Sequence, residues 1–203
     1  MQHRLGDVRG DLGEKYEAVR LYTSARDALS GIAQADASDA RVHFDWSVAE
    51  EKLANVLLRV DRIEEAQQGF AKARDLRTDL ADANPANRLY RMASAIAIEH
   101  VAHCDRLRGN HDAARLAYHD AMAIARTGLE DSPSDVRLWT VLGISQRGLG
   151  ESFLDADDAS ADDARRWLTE AKATLDAMDA RGMTPTRSTL SAEAIDALLL
   201  RCG

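Results

Sequence analysis

Three side chains with the chemistry of metal ligands lie close together near the middle of the chain. His100, His103 and Cys104 are spaced so that they share one face of a helix, and His111 follows shortly after. Imidazole nitrogen and thiolate sulfur are donors that zinc prefers. Cys104 nevertheless aligns with the apolar Val56 in a repeat described below. We therefore expect packing here and predict no cofactor, although spacing alone leaves metal binding open.

A second group of chemically active side chains is acidic. Asp155, Asp157 and Asp158 are followed closely by Asp162 and Asp163. Such a density of carboxylates suits calcium, but a calcium-binding loop also needs a central glycine and a closing glutamate. Both are missing from this stretch, so we expect a solvated loop between two helices.

The sequence contains no recognisable arrangement of catalytic groups. No spacing indicates a Ser-His-Asp or Cys-His arrangement, and the other histidines are scattered. The glycines of residues 10–13 lack the lysine and the preceding strand of a phosphate-binding loop. Because an active site needs convergent reactive groups, we predict that the protein is not an enzyme.

Composition narrows the class of protein further. The 203 residues are 45% hydrophobic but only 5% aromatic, with abundant alanine, which favours closely packed helices over sheets. The net charge of −8 comes without a basic stripe, so we expect no nucleic-acid partner. We see neither an apolar run long enough for a membrane span nor a signal peptide, and therefore expect a cytoplasmic protein with both cysteines reduced.

The elements that position these side chains come from an internal repeat of 48 residues. An alanine, an aromatic residue four positions later and a second alanine recur at this interval, and the fourth copy follows after 50 residues with leucine in the aromatic slot. The recurring residues are Ala18, Tyr22 and Ala25; Ala66, Phe70 and Ala73; Ala114, Tyr118 and Ala121; and Ala164, Leu168 and Ala171. Apolar residues around them follow the spacings of an amphipathic helix, which we name the B helix of each repeat.

A longer A helix precedes each of the last three B helices, over about residues 41–60, 88–108 and 136–155. Asn87 and Asp135 stand where an N-cap would satisfy free amides of the first turn. Gly13 and Gly109, with Asp61 midway between them, mark the turn from A to B, where a left-handed residue ends a helix.

A pair formed by Leu or Val and a small residue precedes the first B-helix alanine in every copy. The pairs are Leu5-Gly6, Leu53-Ala54, Val101-Ala102 and Leu149-Gly150. With the turn, alanine, aromatic and alanine that follow, this pattern resembles the tetratricopeptide repeat, in a long-period form found in bacterial signalling proteins. The resemblance departs from the family in its period, which is usually 34 residues, and in the aromatic that usually follows the pair, replaced here by Arg9, Leu57 and Asp105.

The resemblance implies an all-α fold, a right-handed superhelical solenoid of about four helical hairpins in one domain over residues 1–203. The repeats would cover residues 1–36, 37–84, 85–132 and 133–180, and a capping helix with Ser191 as its N-cap would close the array within residues 188–201.

The resemblance also implies a binding surface, because A helices of this family line the concave groove. The slots that face the groove contain mostly polar residues of both charge signs. They are His3, Asp7 and Asp11; Glu51, Asn55, Leu58 and Arg59; Glu99, His103, Arg106 and Leu107; and Arg147, Glu151 and Leu154. We predict the partner-binding groove at Asp7, Glu51, Asn55, Arg59, Glu99, His103, Arg106, Arg147 and Glu151.

These observations favour a scaffold for protein–protein interaction that binds a peptide or protein partner in its concave groove. The alternative is a sensor of a peptide or small ligand that changes curvature on binding. The first repeat lacks half of its A helix, so we expect the chain to be the C-terminal part of a larger bacterial signalling or regulatory protein. We expect no membrane partner, and the sequence leaves self-association open.

Overall fold

The computed structural model describes residues 15–156 and 160–203, which form eight α-helices and no β-strand. The helices are α1 Lys15–Ala35, α2 Ala40–Leu58, α3 Ile63–Ala83, α4 Arg88–Leu107, α5 His111–Asp131, α6 Val136–Asp155, α7 Ala161–Asp179 and α8 Ala192–Leu200. The all-α prediction is therefore confirmed, and α2, α4 and α6 match the predicted A helices within two residues. None of the helices in the described ranges combines the length and the apolar character that a membrane crossing requires.

The chain divides into two compact units, Met1–Tyr90 and Arg91–Gly203. In the first unit, α2 packs against both α1 and α3. In the second, α6 packs against α5 and α7, and α7 also packs against α8. Consecutive packing of this kind is consistent with a helical repeat. The expectation that residues 1–203 form a single domain stays a prediction.

The recurring positions of the repeat form the core of each unit. All four leading alanines, Ala18, Ala66, Ala114 and Ala164, are completely buried. The aromatic register is buried as well, at Tyr22, Phe70, Tyr118 and, in the fourth copy, Leu168. An alanine offers little side-chain volume, so neighbouring helices approach closely there and the large residue one turn later fills the space beside it. The predicted burial of the repeat positions is confirmed.

The A helices begin at N-caps that recur with the repeat. Asn87 and Asp135 each accept a hydrogen bond from the backbone amide two residues later, as predicted. Asp39, one period before Asn87, does the same for the start of α2, and its carboxylate also accepts from the amide three residues later. The 48-residue offset therefore pointed to a third cap that the sequence analysis did not name. Ser191 caps α8, as predicted.

The turn from an A helix to the following B helix uses a left-handed residue. Gly109 has φ +79°, as predicted for a C-terminal glycine, and Gly13 lies outside the described residues. Asp61, one period before Gly109, has φ +58°. A side chain at a left-handed position costs about 1–2 kcal/mol relative to glycine, and aspartate is one of the few residues that tolerates it. The repeat thus imposes the left-handed backbone of Gly109 on Asp61, which adopts it less readily than glycine.

We expect Asp61→Gly to raise the free energy of unfolding by about 1 kcal/mol, because glycine relieves this left-handed strain despite its greater freedom in the unfolded chain. Gly109→Ala is the reverse substitution at the equivalent turn and should lower the free energy of unfolding by a similar amount. No atom lies within 4 Å of the added Cβ, so the loss would come from the backbone conformation alone. Urea denaturation followed by circular dichroism measures both changes. A loss of stability in Asp61→Gly would mean that the aspartate side chain itself holds the turn.

Candidate functional site on helices α4 and α6

Five of the predicted groove residues lie together in the second unit. Glu99, His103 and Arg106 share one face of α4, because they are spaced by four and three residues. Arg147 and Glu151 lie four residues apart on α6. The structure brings these two faces together, so the sequence-based choice of slots identifies one real cluster of charged side chains.

The cluster is held by ion pairs, two of which join the two helices. Arg106 lies 3.3 Å from Glu151 and 2.7 Å from Asp155, measured between guanidinium nitrogen and carboxylate oxygen. Arg147 approaches the other oxygen of Glu151 at 3.8 Å. The side chains of Arg106, Arg147 and Glu151 are only 12–14% exposed. Charges this far from water stay ionised only when they compensate one another, so the cluster depends on all of its members.

Tyr118 connects α5 to this cluster. Its ring is 1% exposed, and its hydroxyl is in hydrogen-bonding contact with Arg106. Burial raises the pKa of the Tyr118 phenol, and the nearby carboxylate of Glu99 raises it further. The ring lies directly against Gly148 of α6, where a Cβ would be 2.2 Å from the ring carbon that bears the hydroxyl. A glycine at residue 148 therefore makes room for the tyrosine.

His103 is a histidine of the cluster with a strongly lowered pKa. Its pKa is lowered from 6.5 to about 4, chiefly by burial; the carboxylate of Glu99 opposes this shift, and the positive charges of Arg106 and Arg147 contribute to it. The imidazole is therefore neutral near pH 7. Burial alone would raise the pKa of Glu99, but Arg187 and His100 bring it below its ordinary value, so this buried side chain is a carboxylate.

Arg187, which the sequence analysis missed, completes the cluster from the connection between α7 and α8. Its guanidinium is 2.6 Å from a carboxylate oxygen of Glu99 and donates to Nε2 of His100 at 3.0 Å. The only sequence signal was indirect: Arg187 lies between the fourth predicted repeat and the predicted capping helix, near proline, threonine and serine. The spacing of Arg187 from α4 bears no relation to the 48-residue period.

The same connecting segment is bound to α6 through its backbone. The Thr186 amide donates to the Thr140 hydroxyl at 3.0 Å, and the guanidinium of Arg147 donates to the Thr189 carbonyl. Leu190 is 2% exposed and lies against Gly143, where a Cβ would be 2.6 Å from a Leu190 methyl carbon. The face formed by α4 and α6 thus holds a non-helical stretch of polypeptide by backbone and side chain alike.

The groove residues predicted in the first unit lie on or beside α2. Glu51 forms an ion pair with Arg77 of α3 at 2.5 Å, and the Nε of Arg77 donates to Ser47 at 3.0 Å. The Asn55 amide donates to the backbone carbonyl of Glu51 at 2.9 Å. Arg59 follows the last residue of α2 and is exposed. Asp7 lies outside the described residues.

The first unit also contains a cavity of about 360 Å³ among α1, α2 and α3. Arg26, Glu50 and Lys72 contribute charged groups to its lining. Glu50 is buried, accepts a hydrogen bond from the Trp46 indole at 2.9 Å and lies 3.7 Å from Arg26. Burial raises the pKa of Glu50, against the lowering influence of Trp46 and the two cations. Sequence reasoning did not single out this cavity.

The histidine and cysteine side chains considered for zinc have other surroundings. His100 accepts from Arg187, and Cys104 is completely buried in the packed core of the second unit. Burial raises the pKa of the Cys104 thiol to about 12, so it is not a thiolate at neutral pH. Among the residues that the structure describes, no three His, Cys, Asp or Glu side chains are grouped so that they could hold a metal ion.

Comparison of the sequence with models of known protein families finds no match, and no curated protein matches it. Fold and site therefore define the class: an all-helical protein whose consecutive helices pack in a manner consistent with a helical repeat.

Proposed function

We propose that this chain is a helical-repeat protein of the tetratricopeptide type and that the α4–α6 face binds a non-helical segment of a protein partner. The buried alanine and aromatic register, the three N-caps and the left-handed turns support the repeat. They recur every 48 residues, except that the fourth copy of the register follows after 50. The right-handed solenoid that the resemblance implies is part of this proposal, as is the role of scaffold in a bacterial regulatory protein.

One observation carries the binding role. The α4–α6 face contacts residues 183–191 through a backbone amide and a backbone carbonyl, which every polypeptide offers. Recognition of an irregular peptide commonly combines backbone hydrogen bonds with side-chain pockets. Within the described residues, the Nε groups of Arg106 and Arg147 are also buried without a hydrogen-bond partner. Such donors are rare in folded proteins, and a ligand oxygen that reached them would supply the missing acceptor.

We infer binding rather than catalysis because the charged groups of the cluster neutralise one another. Glu99, Arg106 and Glu151 each have an oppositely charged neighbour within 3.3 Å. Paired charges of this kind recognise polar groups with defined geometry. A catalytic acid or base would instead need a proton that it exchanges with a substrate.

The test is a selection of peptides from a random library displayed on phage, using the full chain as target. Enriched peptides should shift the amide resonances of α4, α6 and residues 183–191 in a two-dimensional NMR spectrum. Arg106→Gln should weaken their affinity at least tenfold, because Arg106 belongs to the cluster but contacts Glu151 and Asp155 rather than residues 183–191. Arg126→Gln on the exposed surface of α5 should change it less than twofold. Circular dichroism verifies that both variants fold. Failure to enrich any peptide, or resonance shifts confined to other surfaces, would overturn the proposal.

The first-unit cavity supports the alternative function, a sensor of a small ligand. A buried carboxylate beside two cations, Arg26 and Lys72, would suit a compact polar molecule with both donors and acceptors. A ligand of the native state raises the melting temperature by an amount that grows with the logarithm of its concentration above the dissociation constant. A thermal-shift screen of polar metabolites, with Glu50→Gln as the cavity variant, would detect such a ligand.

A further inference from the structure

We propose that residues 183–191 are a built-in competitor for the α4–α6 face, and that the partner carries an Arg-x-x-Leu turn like the one in this segment. The inference rests on the proposed function and specifies its partner. Arg187 and Leu190 are the first and last residues of a turn, in which the Leu190 amide donates to the Arg187 carbonyl at 3.2 Å. This turn fixes the positions of the Arg187 and Leu190 side chains relative to each other.

The arginine position of the motif follows from the buried acid on α4. Glu99 is 2% exposed and carries a negative charge that requires a cation close by. Arg187 supplies it at 2.6 Å, and a second guanidinium nitrogen donates to His100 at 3.0 Å. A guanidinium can make both contacts at once because its donors form a planar fork, whereas the compact ammonium of lysine offers no such fork. The site therefore selects arginine.

The leucine position follows from the notch at Gly143 on α6. A Cβ at this glycine would be 2.6 and 3.1 Å from the two methyl carbons of Leu190, and 3.4 Å from the Thr174 methyl. The notch is thus bounded by an apolar wall and admits one branched aliphatic side chain. Leu190 is 2% exposed and belongs to the same core cluster as Ile144 and Leu168.

Two backbone contacts beside these anchors fix the position of the segment. The Thr186 amide donates to Thr140, one residue before the arginine, and the Thr189 carbonyl accepts from Arg147, one residue before the leucine. All four contacts come from α4 and α6, the helices on which five of the predicted groove residues lie. A partner with the same turn would satisfy the same four groups and would have to displace the segment.

Tethering makes the segment a strong competitor. A segment joined to its own site by a short connection acts at an effective concentration in the millimolar range, so a free peptide must overcome that concentration before it binds. Weakening one anchor of the segment should therefore raise the affinity for a competing peptide. The free energy of unfolding of the chain need not rise together with this affinity.

The experiment uses a fluorescein-labelled synthetic peptide with the sequence of residues 183–191, Met-Thr-Pro-Thr-Arg-Ser-Thr-Leu-Ser. Fluorescence anisotropy measures its affinity for the full chain and for the variant Arg187→Ala. We expect the variant to bind the peptide at least tenfold more tightly than the unaltered chain. A peptide with alanine in place of its arginine should lose at least tenfold in affinity for the variant.

Arg181→Ala is the matched control, because Arg181 lies in the same connection but contacts the Ala177 carbonyl and the Trp139 ring rather than Glu99. Its affinity for the peptide should equal that of the unaltered chain. If Arg187→Ala fails to fold, Arg187→Lys keeps a cation beside Glu99 and should show a smaller gain in affinity.

Equal affinity of the unaltered chain and the arginine variant, or equal affinity for the arginine and alanine peptides, would overturn the inference. Both results would assign the segment a purely structural role. The proposed function is judged separately: peptides enriched from the library that bind α4 and α6 without an Arg-x-x-Leu sequence would support it while contradicting this inference.

Discussion

Gly148→Ala is expected to destabilise the protein, although alanine is a better helix former than glycine. The added Cβ would be 2.2 Å from Cζ of Tyr118 and 2.6 Å from its hydroxyl oxygen, distances at which atoms overlap. The ring cannot swing outward freely, because it is buried and its hydroxyl contacts Arg106. Overpacking of this kind costs about 1–3 kcal/mol. We expect a net loss of about 1 kcal/mol after the gain of up to about 1 kcal/mol in helix propensity.

Gly31→Ala provides the matched control for this substitution. Gly31 lies within α1, is exposed, and has no atom within 4 Å of the position of an added Cβ. Its replacement should therefore stabilise the protein by up to about 1 kcal/mol through helix propensity alone. Urea denaturation monitored by circular dichroism measures both variants. The opposite signs of the two changes separate crowding at Tyr118 from the propensity of the residue itself.

A second substitution distinguishes crowding from other causes. Tyr118→Leu introduces the residue that the fourth repeat carries at the equivalent position, Leu168. If the alanine Cβ acts by striking the aromatic ring, Gly148→Ala should cost clearly less in this background, and the double-mutant cycle should show coupling between the two sites. Gly148→Ala could instead lower stability equally in both backgrounds, or leave the protein as stable as before. Either result would mean that the ring moves aside without penalty.

Acidification from pH 6.5 to pH 4 is expected to destabilise the protein through His103. The folded-state pKa of about 4 lies below the ordinary value of 6.5, because the imidazole is buried. In this pH window the unfolded chain binds a proton that the folded protein excludes, so stability falls as the pH falls. The contribution is on the order of 3 kcal/mol at most, since one pKa unit corresponds to 1.36 kcal/mol.

His103→Asn should remove this contribution. Asparagine occupies the equivalent position one period earlier, Asn55, so the substitution places a residue that the repeat already accommodates. Relative to the unaltered protein, the variant should gain stability progressively from pH 7 to pH 4, as measured by urea denaturation at each pH. Glu99, His100, Arg106 and Arg147 surround His103 and remain in both proteins, so their own titration largely cancels in the comparison.

His119→Asn controls for the loss of a histidine in general, because His119 is exposed on α5 beside Trp167 and away from the charged cluster. Parallel stability curves for the unaltered protein and His103→Asn across pH 7 to 4 would contradict the assignment of a neutral, buried imidazole to His103.

Much of the fold could be predicted because its determinants are local. Ala66 and Phe70 lie one helical turn apart, and the caps Asn87 and Asp135 act on amides only two residues later in each case. Spacing in the sequence translates directly into direction on a helix. Asp39 carried the same 48-residue signal without being recognised as a cap, and Asp61 was placed at the turn without its left-handed backbone being predicted.

The candidate site was predictable only in part. Glu99, His103, Arg106, Arg147 and Glu151 were chosen by their position on A helices, and they are indeed adjacent in the structure. Their mutual pairing was not foreseen, because an open groove and a self-neutralised cluster have the same sequence pattern. Arg187 lay beyond reach altogether, since its contact with His100 spans 87 positions and follows no period.

The sequence by itself determined the helices, their ends and which side of each one is buried, because these depend on backbone propensity and on side chains a few positions apart. Only the tertiary structure decided that a segment between α7 and α8 covers the charged face of α4 and α6, and that the pKa of His103 falls to about 4. Coulombic pairing and desolvation depend on distances in space between residues far apart in the chain, and no spacing in the sequence encodes those distances.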